Sequence, residues 1–511
     1  MTTPRPILSL AAVAALCLAT AYARADAPLN TLYAFPNDQL SPNGYARGAA
    51  PEGDMVQGAD GNFYGTTAFG GSSICNDGFV VGCGTIFKLT PGGTQTSLYS
   101  FTYDSTTQAA ANGGWPVAGL VQGPDGYFYG VTSSFGTNTA ICNATGGCGT
   151  VFKISPAGKF QMLHSFAGVS GSCTATDGGN PRGRLLLARD GNFYGTTYWG
   201  GCFQGGTIFR ISSGGKYQLL HIFQGANNTP DGANPASALI QGADGFFYGT
   251  TQFGGAFGAG TVFRMTSAGA VTILHSFVHS AATGAAPGGS EPVGSLVQAS
   301  DGNLYGTTSL DGAGSAGTLF RITTKGAFTS LYDFTLNATY TGTSPRASLM
   351  QATDGNLYGT TWRGGVDDFG TVFRATLAGA VAEAAVYTGN NGWNPVAGVL
   401  QAADGTLIGD APGMGSGNGG TIVQANLGLQ APPPALGQFS PSSGAAGSKV
   451  TLTGAHFVGA TAVAFNGTPA SFQIMSVTSI RATVPAGATS GPISITSPAG
   501  TSTAKSAFTV P

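Results

Sequence analysis

A chain of 511 residues with 84 glycines and 8% charged residues suggests low complexity, but 42% hydrophobic and 10% aromatic content supplies a packed core. A formal net charge of −2 without runs of like charge gives no electrostatic case for nucleic acid or an anionic membrane surface.

The N-terminus reads as a secretory signal over residues 1–25. Arg5 supplies the positive charge, Ile7 to Ala21 is apolar, and small-x-small sites between Ala21 and Ala27 follow, with cleavage expected between Ala23 and Ala27. The apolar stretch is short for a bilayer span, and no later segment has that character. The mature protein is therefore expected to be exported, periplasmic or extracellular, with no membrane span. Next comes an isolated strand-like run, Leu32-Tyr33-Ala34-Phe35.

Asp-Gly then recurs seven times, at Asp60, Asp125, Asp190, Asp244, Asp301, Asp354 and Asp404. Each is answered by Gly-Thr and apolar residues, at Thr85, Thr150, Thr207, Thr261, Thr318, Thr371 and Thr421. A period of roughly fifty to sixty-five residues marks repeated supersecondary units. Each unit offers up to four strand-like runs. Run a is apolar, starts after a proline and ends in Gln in six of seven copies, as in Leu120-Val121-Gln122. Run b follows the Asp-Gly turn, as in Phe193-Tyr194-Gly195-Thr196-Thr197; run c resembles Thr150-Val151-Phe152-Lys153-Ile154; run d resembles Leu163-His164-Ser165-Phe166. Aromatic and β-branched runs between Gly-rich turns are strands, and proline opening run a gives up an N–H at little cost. Insertions fall only in the b–c and d–a connections, the pattern of a four-stranded meander.

The seventh unit stops after run c, while the mature N-terminus holds the spare run d. Pairing the two predicts an all-β, seven-bladed β-propeller over residues 29–427, closed by the N-terminal strand so that no edge stays unpaired.

Six cysteines remain after the signal. Register matches Cys75 with Cys83 and Cys142 with Cys148, each in one b–c insertion, and leaves Cys173 with Cys202 in two loops of the third repeat. Disulfides suit an exported protein. Zinc is the rival reading, but CxxC spacings and nearby His are missing.

These units resemble the GloVer-type tandem repeats of bacterial exported proteins, through Asp-Gly-x-[Phe/Leu]-Tyr-Gly-Thr-Thr and Gly-Thr-[Val/Ile]-Phe. The resemblance implies export and an uncharacterised activity, and brings no catalytic residues.

Residues 428–435 form a Pro-rich linker around Pro432-Pro433-Pro434. Short alternating runs such as Lys449-Val450-Thr451-Leu452-Thr453 then predict a β-sandwich over 436–511. This segment resembles an IPT/TIG domain, which implies an immunoglobulin-like fold and a spacer or adhesion role. Only Lys449, Arg481 and Lys505 are basic in it, so the basic loops of DNA-binding relatives are missing.

Chemistry is sparse. Seven Asp at one turn position read as hairpin formers. Glu52, Glu291 and Glu383 are the only glutamates, so paired-carboxylate hydrolysis has few candidates. His164, His221 and His275 share a slot with tyrosines, which points to packing. Asp367 and Asp368 read as a solvated loop. No catalytic set, metal site or cofactor is assigned.

One constellation remains. Trp115, Trp199, Trp362 and Trp393 all fall in the b–c and d–a connections, with Phe69, Phe135, Tyr198, Phe253 and Arg363. Both connections of a meander emerge on one face, and aromatics beside Gly, Asn and Thr suit a glycan or a cell-surface protein. The expectation is a non-catalytic recognition or scaffold protein. The alternatives are a propeller enzyme acting on polysaccharide, lyase or glycosidase, and a purely structural envelope component.

Overall fold

The Asp-Gly turn is held by its own side chains. The Asp60 carboxylate accepts the Asn62 N–H at 3.2 Å and the Tyr64 hydroxyl at 2.7 Å. The same Asp–Tyr bond recurs in the next five repeats at 2.6 to 3.0 Å. Burial and the neighbouring carboxylate raise the Tyr64 phenol above its ordinary pKa. In the seventh repeat Ile408 replaces the tyrosine, and Asp404 retains only the Thr406 N–H at 2.9 Å. These carboxylates are therefore committed to structure.

A computed structural model describes residues 28–36, 48–76, 80–104, 110–138, 147–168, 177–201, 204–225, 231–279, 288–336, 341–413, 415 and 417–511. They form strands, turns and connections, with no helix among them. The proposed signal (1–25), Cys142, Cys173 and Cys202 lie outside the described residues.

In the first repeat the strands Val56–Gln57, Phe63–Thr67, Thr85–Leu89 and Gln95–Ser100 pair antiparallel in that order. Repeats two to six have the same a-b-c-d order, the sixth with an extra strand, Thr343–Pro345. The seventh sheet takes Leu400–Gln401, Leu407–Ala411 and Asn418–Ala425 from its own repeat, and its fourth strand is Asn30–Pro36. Tyr33 lies opposite Ile422 and Ala34 opposite Thr421. The fully buried Phe35 packs with Ile408 and Ile422 of repeat seven and with Met55, Phe63 and Phe87 of repeat one.

Local sequence explains the strand pairings. Gly65 faces Phe87 across strands b and c, and a Cβ there would come within 2.7 Å of that ring and 2.6 Å of the Met55 sulfur. Glycine is what lets the phenylalanine cross the sheet. Two residues on, Thr67 and Thr85 share a buried hydroxyl bond of 2.8 Å.

Three kinds of bond join neighbouring repeats, each at several junctions. The residue before each run-a proline (Ala50, Trp115, Asn180, Asn234, Glu291, Ser344, Asn394) has a left-handed φ of 53 to 57°. Its N–H reaches a carbonyl of the preceding repeat, as from Trp115 to Cys83 at 2.9 Å. The run-b Thr66 hydroxyl donates to Ala118 O in the following repeat at 3.0 Å, as Thr360 does to Ala397 O. The run-a Gln oxygen accepts the N–H preceding the Asp of the previous repeat: Ala59 to Gln122 at 2.9 Å, Ala243 to Gln298 at 2.8 Å. Repeat seven makes two of these bonds to repeat one, Ala403 N–H to Gln57 at 2.9 Å and Ala50 N–H to Gly419 O at 2.8 Å. Between repeats two and three both glutamine-bond partners change together. Leu187 replaces the acceptor, and Pro124 replaces the donor.

Cys75 and Cys83 are bonded (S–S 2.00 Å) across a hairpin of Ile74–Asn76 and Val80–Gly82, and Cys148 is disulfide-bonded as well. The tail is a sandwich of two four-stranded sheets. Its core combines Val450, Leu452 and Ile480 of one sheet with Val463, Phe465 and Ile493 of the other. In the linker, the Gln430 carbonyl accepts from Thr353 Oγ1 at 2.8 Å and Gln401 Nε2 at 3.0 Å. No helix among the described residues is long and apolar enough to cross a membrane.

Candidate functional site

The b–c and d–a connections adjoin in every repeat. Bridges join Ala49 to Phe69, Gly114 to Ser134, Gly179 to Trp199, Ala233 to Phe253, Ser290 to Leu310 and Trp393 to Gly413, while Thr343 pairs with Arg363. The aromatic candidates therefore occupy one kind of surface, but they divide in role. Phe135 is only 3% exposed, so reading it as a ligand contact is corrected: it packs the core. Trp115 packs edge-on against Phe135 and Phe69 at 5.3 and 6.4 Å, and its indole nitrogen is buried without a partner. Trp393 leans on Phe369 at 5.8 Å. Phe253 is half-buried. Trp199, Tyr198, Trp362 and Arg363 remain open to solvent in part or in full. Sequence reasoning missed Phe257 and Val366, 58% and 56% exposed, and the exposed Leu310 and Leu336, all in these connections.

It also missed the residues that follow the run-a prolines. Glu52, Val117, Arg182, Ala236, Val293, Arg346 and Val396, one from each repeat, line a single solvent-open cavity of about 90 Å³. Asp54, Arg184, Ser295 and Ser348 line it as well. The proline fixes the entry of the strand, and the next side chain points inward. The readable signal was a charge directly after the proline in three of seven repeats.

Two of those charges have a common setting. Arg182 lies over the Tyr198 ring, 4.0 Å from its centroid, and its Nε donates to Asn180 Oδ1 at 2.6 Å. Arg346 lies over Trp362 at 4.5 Å, with Arg363 at 4.8 Å from the same ring. Tyr198 and Trp362 hold the same place in their repeats, the residue after the second run-b threonine; the other repeats have Ala68, Ser133, Gln252, Ser309 and Pro412 there. Arginine after the proline thus goes with an aromatic at the paired position, in repeats three and six alone.

A polar chain runs from repeat three through repeat four to repeat five. The Tyr198 hydroxyl donates to Gln252 Oε1 at 2.9 Å, and Gln252 Nε2 donates to Glu291 Oε2 at 2.9 Å. Both guanidiniums are accessible within the cavity yet surrounded by protein, and this desolvation lowers their pKa values, opposed by Tyr198 and Glu52 at Arg182 and by Glu291 at Arg346. Desolvation raises the Glu52 carboxyl to about 7, outweighing the pull of Arg182. Asp54 accepts the Gly398 N–H at 2.8 Å. Asp410 is buried with neither carboxylate oxygen bonded, and desolvation, then Asp54 and Glu52, push its pKa well above the carboxylate range.

The histidines behave as packing groups. His164 stacks on Tyr217 at 4.1 Å and meets Asp177 at 2.6 Å, while burial lowers His275, stacked on Phe328, to about 4. Asp368 pairs with Arg363 at 3.6 Å. Among the described residues no group of three His, Cys, Asp or Glu is arranged to hold a metal ion.

Comparison with known proteins gives two family matches. The model of the Gloeobacter/Verrucomicrobia repeat matches residues 22–176 and 144–352, and that of the IPT/TIG domain matches 434–510. No curated protein matches the chain. Among solved structures, the extracellular domain of a B. thetaiotaomicron protein described as a hybrid two-component system is 12% identical (TM-score 0.45), covering 84% of this chain. The chain spans 46% of that domain's length. A fungal alcohol oxidase of the AA5 family, in complex with copper, is 13% identical (TM-score 0.47), with 91% of this chain and 98% of that one covered. A Bacteroides uniformis protein described as a 6-phosphogluconolactonase is 14% identical (TM-score 0.40), with 65% and 83% covered. At these values no activity is transferred. The repeat match extends over more than half of the sequence, and the chain belongs to the Gloeobacter/Verrucomicrobia repeat family, with an IPT/TIG domain at its C-terminal end.

Proposed function

We propose that the protein is an exported, non-catalytic recognition module in which seven sheets close into a seven-bladed β-propeller and the face bearing the b–c and d–a connections binds a glycan. Closure is supported by the leading strand in the seventh sheet and by the seventh repeat bonding to the first as its neighbours bond to each other. Export is supported by the signal-like N-terminus and the Cys75–Cys83 disulfide, a bond of oxidising compartments. The observation that carries the binding reading is the cavity reached from all seven repeats, two of whose lining arginines, Arg182 and Arg346, lie against Tyr198, Trp199 and Trp362. Concave sites with a few convergent polar groups are the usual place for ligands. A surface protein as ligand is the remaining outcome, which the exposed Phe257 and Val366 would serve. The test is a glycan array with the mature chain, repeated with Trp199→Ala and Trp362→Ala. Saccharide binding weakened by both substitutions is expected; binding to none, or binding indifferent to both, overturns the reading.

Glu52 motivates one rival. A carboxyl titrating near 7 in a cavity is suited to general acid–base work, the role of a glycosidase or lyase residue. A reducing-end assay on any saccharide that binds decides between them. Product formation abolished by Glu52→Gln would make the protein an enzyme.

A further inference from the structure

We infer that the central cavity recognises an acidic saccharide, taking sugar carboxylates on the guanidiniums of Arg182 and Arg346. This rests on the glycan-binding reading above and adds the ligand's charge and the groups that meet it.

The two arginines form one device used twice. Each follows the run-a proline, each points into the shared cavity, and each lies against an aromatic ring from its own repeat, three repeats apart. Wherever the arginine is missing, the aromatic is missing too. Trp362 already carries Arg346 and Arg363 over its ring, so its part is to position a guanidinium rather than to offer a free stacking surface. A planar fork held in this way matches a carboxylate with two parallel hydrogen bonds.

The cavity does not neutralise these forks by contact. Among the described residues neither Arg182 nor Arg346 has a carboxylate within ion-pair distance, whereas Arg363 has Asp368. Arg182, a lining residue, uses its Nε on Asn180. Glu52 and Glu291 act on the two guanidiniums from a distance, while Asp54 accepts the Gly398 N–H and Glu291 the Gln252 amide. Arg184 adds a third positive charge to the lining, against the carboxyls of Glu52 and Asp54.

The other lining groups favour a sugar over an acidic protein. Ser295 and Ser348 bring hydroxyls, and Val117, Ala236, Val293 and Val396 bring small apolar patches. A solvent-open cavity of about 90 Å³ admits the carboxylate end of a sugar rather than a folded surface.

The test is calorimetric titration of the mature chain with an oligouronate and with a neutral oligosaccharide of equal length. An oligoglutamate peptide serves as the third probe. The oligouronate should bind at least about tenfold tighter than the neutral sugar, and Arg182→Gln and Arg346→Gln should each weaken it about tenfold or more. Both variants should keep the wild-type thermal midpoint, and Arg346→Lys should restore only part of the loss. Equal affinity for both sugars, unaffected by the arginine variants, overturns the inference and leaves glycan recognition standing. Binding of the peptide without the oligouronate overturns it as well. Binding of neither sugar overturns the glycan reading itself.

Discussion

Asp410 occupies, opposite Ile422, the place that Thr66 occupies opposite Ile86 in the first repeat. Thr66 donates its hydroxyl to a carbonyl of the following repeat, whereas Asp410 is buried with both side-chain oxygens unbonded. Restoring the repeat's own residue, Asp410→Thr, should stabilise the protein by about 1–3 kcal/mol, the cost of an unsatisfied buried polar group. Urea unfolding at pH 8 measures it, and an unchanged midpoint would show that the carboxyl is paired in solution.

Glu52 makes stability depend on pH. Its folded pKa, about 7, lies above the ordinary 4.5, so the neutral acid is favoured by folding. The contribution is full below pH 4.5 and is lost as pH rises through 7, with Asp410 acting in the same direction. Stability should therefore decline between about pH 5 and 8. Glu52→Gln should remove part of that slope, on the order of 1–2 kcal/mol once the solvent in the cavity is allowed for. Parallel curves for the two proteins would refute it.

Phe35 carries the leading strand. It is fully buried against Ile422 on one side and Phe87 on the other, in repeats that are far apart in sequence. Phe35→Ala should cost about 3–5 kcal/mol, the range for a large aromatic removed from a core. Gln57→Leu should cost about 1 kcal/mol, one hydrogen bond. Denaturant midpoints of the two variants give the comparison, and equal, small losses would mean that the strand is dispensable.

The Cys75–Cys83 bond closes a short loop at sequence separation 8, within one connection. Its loss should cost no more than about 2–3 kcal/mol on the loop-closure argument. Comparing the wild type with Cys75→Ser/Cys83→Ser by thermal unfolding tests this; collapse of the whole fold would contradict the local role.

The architecture was legible because its signals are local and repeated. Asp60 with Gly61 marks a turn, Gly65 facing Phe87 marks a strand pair, and the orphan Leu32-Tyr33-Ala34-Phe35 finds the missing place beside Ile422. The site was legible only in part. Trp115 and Phe135 sit in the expected connections, but nothing in their spacing distinguishes a ring that packs from one that waits for a ligand. The cavity was hidden for another reason: Glu52, Arg182 and Arg346 are scattered over nearly three hundred residues and meet only when every repeat turns the same position inward. Aligning the repeats on proline rather than on Asp-Gly would have exposed them.

Pro124 and Leu187 give the molecule a built-in fault line. Where other neighbouring repeats are clasped by a glutamine, this pair meets without one, and substituting both partners leaves no stranded donor to resist separation. Mechanical pulling or slow amide exchange should find the first gap there, between the second and third repeats. The leading strand is pinned by Phe35, so the first opening is expected at this internal seam rather than at the terminus.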